Sequence, residues 1–456
     1  MKSVAFLTLG CKVNSYETNG MERLFHDSGY ELRDFAQKAD VYVINTCTVT
    51  NMADRKSRQM LHKAKKMNPE AVIVAVGCYV QAAKEEVEKD ESIDLIIGNN
   101  QKNKIVKMVE DYLSNQTEVT CIEEMKDFNE FEEIAIEDAG DKTRAYIKIQ
   151  DGCNQFCSYC IIPFVRGRIR SRNEEDIINE VTKLVEKGYK EVVLTGIHLS
   201  SYGVDMQGES DFVKRKGEPL AKLIQKVNDI KGIKRIRLGS LEPRIISEDF
   251  VKVLASIDKL CPHFHLSLQS GCDETLTRMN RKYSSSEYLE KCDILRKHFM
   301  LPAITTDIIV GFPSETDEEF EQTKDFITKV GFSDVHIFKY SMRKGTKAAQ
   351  MEEQIPDPVK TARSNQLIAT GKQLKEEYEQ QFIGSEQWVL FEEKVTLLDD
   401  EDGQEKEYWI GHNERYIKIA CVVKNKDENK HNCLEKVLLT KKREDGIILS
   451  TCIFTD

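Results

Sequence analysis

The chain has 456 residues, a formal net charge of −11, and 40% hydrophobic and 31% charged residues. This length suggests two to four domains, and the composition is ordinary for a soluble globular protein with apolar cores. No apolar stretch approaches the length of a membrane span, which excludes an integral membrane protein. The 13 cysteines are an odd number and follow no secretory signal, so we expect a cytoplasmic protein with thiol or metal chemistry rather than a disulfide framework.

Residues 1–120 alternate short β-branched runs with helical patterns. The predicted strands are 3–9, 41–45, 71–76 and 94–97. The predicted helices are 15–28, 52–67 and 81–89. Strands that alternate with helices predict a parallel sheet with crossover helices, so we expect residues 1–120 to form an α/β domain.

Three cysteines each come directly after one of these predicted strands, namely Cys11, Cys47 and Cys78. The carboxyl ends of parallel strands form the ligand crevice of an open α/β sheet, so the three thiols should meet at one edge. The alternative is three small buried core residues, since free cysteine is often buried. We favour a metal cluster because all three cysteines share the position after a strand.

Residues 121–141 are acidic and lack turn-defined elements, which predicts an inter-domain linker. The β/α pattern then restarts and continues over residues 142–355. The predicted strands here are 145–150, 191–195, 235–238, 263–268, 303–310 and 334–340. The predicted helices are 174–187, 220–228, 248–256, 286–297 and 317–329. About six β/α units predict a partial barrel of the TIM type, with its chemistry at the carboxyl ends of the strands.

The first strand of this predicted barrel is followed by Cys153, Cys157 and Cys160, with the spacing C-x3-C-x2-C. Three thiolates can ligate three irons of a 4Fe–4S cluster and leave the fourth iron open to the amino and carboxylate groups of S-adenosylmethionine (SAM). The aromatic residues Phe156 and Tyr159 would shield such a cluster from water. Structural zinc fits less well because it needs four ligands, and a chance group of buried thiols is the remaining alternative.

Polar residues and glycines follow the later strands of the predicted barrel. They are Gly196, Ser240, Glu242, Gln269 and Gly311. We expect these residues to line one mouth and to contact SAM, with Glu242 accepting hydrogen bonds from ribose hydroxyls and Gly311 admitting the adenine. Each of them alone is a weak signal that a turn or a helix cap also explains, and we expect His198 to be a turn histidine rather than a ligand.

Residues 142–172 hold seven lysines and arginines but one acidic residue. Guanidinium groups suit phosphates, so Arg166, Arg168 and Arg170 predict contact with a polyanionic substrate. A solvated loop with scattered arginines is the alternative. A second basic stretch lies on the helix after Cys47, where an ordinary exposed helix face explains it as well.

The C-terminal part begins with a long predicted helix in a connecting region at 356–382. Residues 383–456 then change to short strands split by polar turns, which predicts a small β-barrel. The predicted strands are 387–392, 407–412, 416–423, 436–442 and 446–453. This region holds 11 lysines and arginines against 16 acidic residues, so its charge does not indicate RNA binding. Tyr416 and Lys418, predicted on one strand, give a modest pattern for base stacking and phosphate binding.

Together these features resemble the radical-SAM methylthiotransferases over essentially the whole chain. That family joins an N-terminal three-cysteine domain, a radical-SAM barrel and a C-terminal RNA-binding TRAM barrel. The motif at residues 9–14, Leu-Gly-Cys-Lys-Val-Asn, resembles the branch that acts on N6-threonylcarbamoyladenosine in tRNA, as do residues 166–172 and 196–203. The isopentenyladenosine branch more often has Gly-Cys-Gln-Met-Asn, and the ribosomal-protein branch Gly-Cys-Pro-Lys-Asn. Asn173 replaces a proline usual in the family, a difference confined to the entry of a helix.

The resemblance implies two 4Fe–4S clusters, one on each of the two cysteine trios. The cluster of the central trio would cleave SAM reductively to a 5′-deoxyadenosyl radical, which takes the hydrogen from C2 of the modified adenosine at position 37 of tRNA. The cluster of the N-terminal trio would deliver sulfur, and a second SAM would supply the methyl group. We expect the tRNA anticodon stem-loop as partner, a flavodoxin- or ferredoxin-type electron donor, no membrane, and a monomer.

Two alternatives stay open. The first is a sister methylthiotransferase that acts on isopentenyladenosine in tRNA or on a ribosomal protein. The second is a non-enzymatic iron–sulfur protein that binds RNA or acts as a sensor, which would leave the polar strand-end residues without a role. The remaining seven cysteines are expected to be packing residues.

Overall fold

A computed structural model describes residues 2–115, 119–125, 128–136, 140, 143–207, 212–398, 403–423, 425 and 428–453. Its first part is a six-stranded parallel sheet in the order β2-β1-β3-β4-β5-β6. The strands are β1 (Ser3–Thr8), β2 (Glu31–Arg33), β3 (Val41–Thr46), β4 (Val72–Gly77), β5 (Leu95–Ile97) and β6 (Val119–Cys121). The helices are α1 (Lys12–Asp27), α2 (Asn51–Met67), α3 (Cys78–Ala82), α4 (Lys84–Val87) and α5 (Ile105–Asn115).

The two central strands of this sheet, β3 and β4, are buried along their whole length. Apolar side chains cover both faces of the sheet, which explains why these strands are continuous β-branched runs rather than alternating ones. The edge strands β2 and β6 have three residues each. Runs this short carry no recognisable periodicity, so the sequence pattern does not predict them.

The second part of the chain is a partial barrel of six parallel strands, as expected. One sheet has the order β10-β9-β7-β8 and the other the order β11-β12-β13, and single parallel bridges from Ile236 to Leu260 and from Leu241 to Leu266 connect them. The parallel strands are β7 (Arg144–Asp151), β9 (Glu191–Gly196), β10 (Arg235–Leu238), β11 (His263–His265), β12 (Ala303–Val310) and β13 (Asp334–Lys339). The short β8 (Arg170–Ser171) pairs antiparallel with the end of β7.

Helices cover the outer face of the partial barrel and enclose the largest apolar core of the molecule. The short α6 (Ile162–Val165) lies at the cavity, and the outer helices are α7 (Glu174–Glu186), α8 (Glu218–Asp229), α9 (Glu248–Ala255), α10 (Asp273–Arg278), α11 (Ser285–His298) and α12 (Asp317–Val330). Both α11 and α12 begin with a capping box, in which Ser284 pairs with Glu287 and Thr316 with Glu319. Such boxes satisfy two main-chain N–H groups at a helix start, so they set where these helices begin.

The third part of the chain consists of α13 (Asp357–Gln380) and a closed barrel in the order β14-β15-β16-β18-β17. The strands are β14 (Glu386–Leu398), β15 (Glu405–His412), β16 (Lys418–Val422), β17 (Leu434–Lys442) and β18 (Ile448–Cys452). The prediction of one strand over 416–423 is wrong at its start, because Tyr416 has a left-handed φ of +62° in a turn. The Asn413 side chain holds this turn by accepting hydrogen bonds from the main-chain N–H groups of Arg415 and Ile417.

Two arginines of β10 connect the closed barrel to the partial barrel by hydrogen bonds. Arg235 and Arg237 donate hydrogen bonds of 2.6–2.9 Å to main-chain carbonyl oxygens of the closed barrel, those of Trp388, His412, Asn413 and Glu414. No helix in the described ranges is long and apolar enough to cross a bilayer.

Candidate active site

Cys11, Cys47 and Cys78 lie at the carboxyl ends of β1, β3 and β4, three adjacent strands of the N-terminal sheet. A Cβ atom at Gly10 would lie 3.0 Å from Sγ of Cys47, so the chain entering Cys11 passes directly over the second thiol. Burial, with smaller contributions from neighbouring thiols, raises the pKa of Cys47 to about 11 and also raises that of Cys11. The sheet therefore brings the three thiols of the predicted trio together, and metal binding would have to displace the protons of Cys11 and Cys47.

Arg166 joins this trio to the partial barrel. Its Nε donates to Sγ of Cys78 at 3.2 Å, its Nη2 donates to Asn14 at 2.7 Å, and its Nη1 donates to Glu17 at 2.8 Å and to Asp151 at 3.1 Å. The side chain is 1% exposed. A buried guanidinium against a sulfur would stabilise a thiolate there, because it supplies both charge and a hydrogen bond.

Glu17 of α1 is the centre of a buried ion network around this arginine. Its carboxylate also pairs with Lys102 at 3.1 Å and with Lys148 of β7 at 2.8 Å, and Lys148 in turn pairs with Asp151. Burial acts to raise the pKa of Glu17, but Arg166, Lys102 and Lys148 outweigh it and hold that pKa well below its usual range. The network thus fixes the N-terminal sheet against the first strand of the partial barrel.

The prediction that Arg166 and Arg170 contact RNA is wrong. Both side chains are 1% exposed, since the loop after the central cysteines folds inward, and Arg170 donates to the main-chain oxygen atoms of Arg166 and Arg168. Arg168 is exposed, with its guanidinium 4.7 Å from the ring centre of Phe156, so a contact of Arg168 with RNA stays a prediction.

The loop with Cys153, Cys157 and Cys160 leaves the carboxyl end of β7 and returns against itself. Gly152 has a φ of +70°, and a Cβ atom there would lie 1.8 Å from the carbonyl oxygen of Arg168. The N–H group of Cys153 donates to Gly167 at 3.0 Å. Glycine is therefore required at position 152, both for the left-handed backbone and for the close approach.

The donor set of this loop fits an iron–sulfur cluster. Burial, with a smaller contribution from nearby Cys157, raises the pKa of Cys153 to about 12. Sγ of Cys157 accepts from Nη1 of Arg281 at 3.4 Å, and Sγ of Cys153 accepts from the N–H of Gln155 at 3.4 Å. Such donors to sulfur stabilise the negative charge of ligating thiolates and tune a cluster. Tyr159 packs edge-on against Phe312, and its predicted shielding role stays a prediction.

The residues predicted to bind SAM occupy different surroundings. Gly196 and Ser240 line a cavity, whereas Glu242 is 5% exposed and pairs with Arg244 at 2.7 Å. Gln269 pairs through its main chain with β12. A Cβ atom at Gly311 would lie 2.3 Å from Lys360 of α13, so that helix already occupies one side of this glycine. Contact of these five residues with SAM stays a prediction.

Among the described residues, only one of the two ring nitrogens of His198 has a hydrogen-bond partner, whereas we expected a turn histidine with both of them satisfied. Its Nδ1 lies 2.6 Å from Oγ of Ser201, but its buried Nε2 has no hydrogen-bond partner within the described parts of the chain. Burial, together with Arg281 and Arg244, lowers the pKa of His198 to about 3. The neutral ring therefore offers one buried nitrogen to a ligand near Arg281, the arginine that contacts the central cysteines.

A cavity of about 950 Å³ lies inside the partial barrel and is lined by all three parts of the chain. The N-terminal part contributes Cys11 and Lys12 to its wall, and Ile162 follows Cys160 by two residues and also lines it. The closed barrel contributes Arg415, Tyr416 and Ile417. This volume is within the range of cavities that enclose small-molecule ligands.

Tyr416 is part of the cavity wall rather than of the outer surface of the closed barrel, and its contact with RNA stays a prediction. Its ring centre lies 3.8 Å from the guanidinium of Arg237 and 5.2 Å from that of Arg144, and its edge meets His263. Arginine side chains of the partial barrel therefore hold this ring in the cavity wall. Lys418 is exposed on β16, and its contact with RNA stays a prediction.

Positive charge exceeds negative charge on the side of the cavity that Lys12 and Tyr416 line. Glu191 is paired with Arg144, Arg235 and Arg237. Burial acts to raise the pKa of Glu191, but Arg237 and Arg144 outweigh it and hold that pKa at about 2. Burial lowers the pKa of Lys12, and Arg237 and Arg144 lower it further.

Three inward-facing residues of the partial barrel, His265, Asp307 and His336, form a cluster that the sequence analysis missed. Their possible ligand atoms all lie within 4.8 Å of one another, and Nε2 of His265 is 3.3 Å from Asp307. Two imidazoles and a carboxylate suit a divalent metal ion. Asp307 and His336 are direct cross-strand partners, so the alternation of polar residues within β11, β12 and β13 was the available signal.

Residues 147–327 match the radical SAM superfamily, and residues 3–98 match a family described as uncharacterized protein family UPF0004. The radical SAM methyltransferase TsrM from Kitasatospora setae, solved with cobalamin and a 4Fe–4S cluster, superimposes with a TM-score of 0.53 at 13% identity, over 74% of this chain and 75% of that chain. The partial barrel and its three-cysteine loop are those of a radical SAM enzyme.

Comparison with curated relatives identifies the family within the radical SAM superfamily. The threonylcarbamoyladenosine tRNA methylthiotransferase MtaB of Bacillus subtilis is 41% identical over 92% of this chain and 90% of its own length. MtaB of Aquifex aeolicus is 39% identical over 87% and 94%. The tRNA-2-methylthio-N(6)-dimethylallyladenosine synthase of Finegoldia magna is 34% identical over 85% and 83%. The chain belongs to the radical SAM methylthiotransferase family.

Gly152→Ala should abolish iron binding by the central cysteines, because the new Cβ atom would collide with the carbonyl oxygen of Arg168. Iron content after anaerobic reconstitution measures this effect. Gly29→Ala is a matched control, since Gly29 has a φ of +82° but a Cβ atom there would meet no other atom within 4 Å. Equal iron loss in both variants would contradict the steric explanation.

Glu17→Gln should destabilise the protein by about 3–5 kcal/mol, because it leaves buried Arg166, Lys148 and Lys102 with too little negative charge. The shift of the urea unfolding midpoint measures the change. Glu70→Gln, at an exposed position, should change stability by no more than about 0.5 kcal/mol. A Glu17→Gln protein as stable as this control would show that the network does not hold the two parts together.

Proposed function

We propose that this protein converts N6-threonylcarbamoyladenosine at position 37 of tRNA to 2-methylthio-N6-threonylcarbamoyladenosine. The observation that carries the proposal is the shared cavity, whose wall includes Cys11 of one trio and the strand ends of the radical SAM barrel. A nucleobase in that cavity would lie between a sulfur source and a radical source. The relatives at 41% and 39% identity are named for threonylcarbamoyladenosine, although the relatives with this name, at 36–41%, overlap with those named for dimethylallyladenosine, at 34–37%.

Cys153, Cys157 and Cys160 are proposed to hold the cluster that radical SAM enzymes use with SAM. When bound, this pair of cofactors supplies a radical that removes an unactivated hydrogen, which acid–base chemistry at neutral pH does not achieve at C2 of adenine. Arg281 and the N–H of Gln155 would stabilise the ligating sulfurs by hydrogen bonds.

Cys11, Cys47 and Cys78 are proposed to hold a second 4Fe–4S cluster as the sulfur source. Arg166 supports this role, because a buried cation that donates to Sγ of Cys78 would favour the thiolate that a metal requires. Glu17, Asp151 and Asn14 hold the arginine in place and leave its Nε directed at the sulfur.

The closed C-terminal barrel is proposed to be a TRAM domain that contacts the tRNA anticodon stem-loop. Lys418 on its surface and Arg168 beside the central cysteines are the exposed cations proposed to meet phosphates. We further propose that the domains span residues 1–120, 142–355 and 383–456. The protein is proposed to be a cytoplasmic monomer that receives electrons from a flavodoxin- or ferredoxin-type donor.

Substitutions in the two cysteine trios should abolish different steps of the reaction. Cys153→Ala should abolish release of 5′-deoxyadenosine from SAM under dithionite, whereas Cys47→Ala should retain this release but form no methylthio nucleoside. Cys433→Ala serves as control because Cys433 lies outside both trios. Deoxyadenosine release by Cys153→Ala would disprove the cluster assignment, and methylthiolation by Cys47→Ala would make the N-terminal trio merely structural.

Mass analysis of tRNA nucleosides tests the substrate. A strain that lacks this gene should lose 2-methylthio-N6-threonylcarbamoyladenosine and accumulate its unmethylthiolated precursor, and the restored gene should reverse both changes. Loss of the dimethylallyl derivative instead would identify the sister activity. Unchanged nucleosides, together with no deoxyadenosine formation by the purified protein, would favour a non-enzymatic iron–sulfur protein.

A further inference from the structure

Lys12 is a cation in the wall of the cavity. It follows Cys11 directly, is exposed to the cavity, and makes no hydrogen bond or ion pair to any residue that the structure describes. The other cations of this wall are engaged: Lys375 pairs with Asp334 at 2.7 Å, and Arg415 donates to the carbonyl oxygens of Met300 and Leu301.

The acidic residues of the cavity do not neutralise Lys12, because each already has a cationic or imidazole partner. Asp334 pairs with Lys375, Asp307 lies 3.3 Å from His265, and Glu379 pairs with Lys442 at 2.8 Å. The nearby Glu191 is shared among three arginines. Near Lys12, this lysine and the three arginines outnumber Glu191 and Glu392, so this side of the cavity has an excess of positive charge that an anionic ligand group would compensate.

We infer that the ammonium group of Lys12 binds the carboxylate of the threonylcarbamoyl group and thereby selects this substrate, an inference that rests on the proposed function. The threonylcarbamoyl substituent carries the α-carboxylate of threonine, which is ionised at neutral pH. The dimethylallyl substituent is a hydrocarbon without charge. A cavity that holds a cation for a carboxylate rejects a ligand that leaves the cation unpaired.

The geometry of adenine allows Cys11 to act at C2 while the adjacent Lys12 binds the N6 substituent. C2 and N6 flank N1 on the same edge of the base, so a base that presents C2 to the cluster of Cys11 presents its N6 substituent to the same wall. Lys12 is the next residue along the chain, and its flexible side chain extends from that wall. One short segment would thus serve both the site of sulfur insertion and the substituent that distinguishes the substrates.

The test compares two anticodon stem-loop RNAs, one with N6-threonylcarbamoyladenosine and one with its methyl ester, which lacks only the charge. The reconstituted wild-type protein should prefer the acid over the ester by about 10- to 100-fold in kcat/KM, the usual worth of a buried charge-assisted contact. Lys12→Met should lose this preference, chiefly through KM for the acid, while its turnover of the ester stays near that of wild type. Lys12→Arg should restore part of the preference.

Lys107→Met is the control, since Lys107 is an exposed lysine on α5 of the same part of the chain and does not line the cavity. It should keep the wild-type ratio of acid to ester. Release of 5′-deoxyadenosine without RNA should be equal in all variants, which shows that each is folded and loaded with its cluster. Equilibrium binding of both RNAs, by fluorescence anisotropy, should show the same loss of preference in Lys12→Met.

An unchanged preference for the acid in Lys12→Met, in both kinetics and binding, would overturn the assignment of Lys12 while leaving the proposed function intact. A wild-type protein that methylthiolates neither RNA but releases deoxyadenosine would instead refute the proposed substrate. A wild-type protein that turns over acid and ester equally would refute recognition of the carboxylate by any residue.

Discussion

The architecture depends on a buried ion network at the boundary between the N-terminal sheet and the partial barrel. Arg166 and Lys148 come from the barrel, whereas Glu17 and Lys102 come from the N-terminal part. Isolated buried charges are costly, and their cost falls when each is paired and hydrogen-bonded. The two parts therefore have to meet in one arrangement, and that arrangement puts a guanidinium against Cys78.

The same network explains which sequence inferences hold and which do not. The basic run at residues 166–172 shows charge, but the sequence does not show that Arg166 and Arg170 are buried. Their partners lie far away: Glu17 is 149 positions from Arg166. Pairings over such distances follow from tertiary structure, not from local patterns. The prediction of an exposed RNA patch fails for Arg166 and Arg170 for this reason, and the contacts of Tyr416 with Arg237 and Arg144 could not be predicted either, because all three residues are far apart in the sequence.

Local patterns predicted the strands well where the strands are long and buried. β10 and β12 have the predicted bounds: β10 alternates two arginines with Ile236 and Leu238, and β12 is rich in β-branched residues. The prediction places the chemistry at the ends of strands, and it finds both cysteine trios by that rule. It misses His265, Asp307 and His336, because they lie within strands whose inner face is hydrophilic, and only closure of the partial barrel brings them within 4.8 Å of one another.

The two arginines of β10 that reach into the closed barrel have a consequence for evolution by domain exchange. The hydrogen bonds of Arg235 and Arg237 to the barrel all go to main-chain carbonyl oxygens. Sequence drift in those loops is thus tolerated as long as the backbone path is kept. A different C-terminal domain, with another loop path, would leave these two guanidinium groups without these hydrogen bonds and would open the cavity to bulk water. We therefore expect the closed barrel to be inherited together with the partial barrel rather than exchanged between proteins.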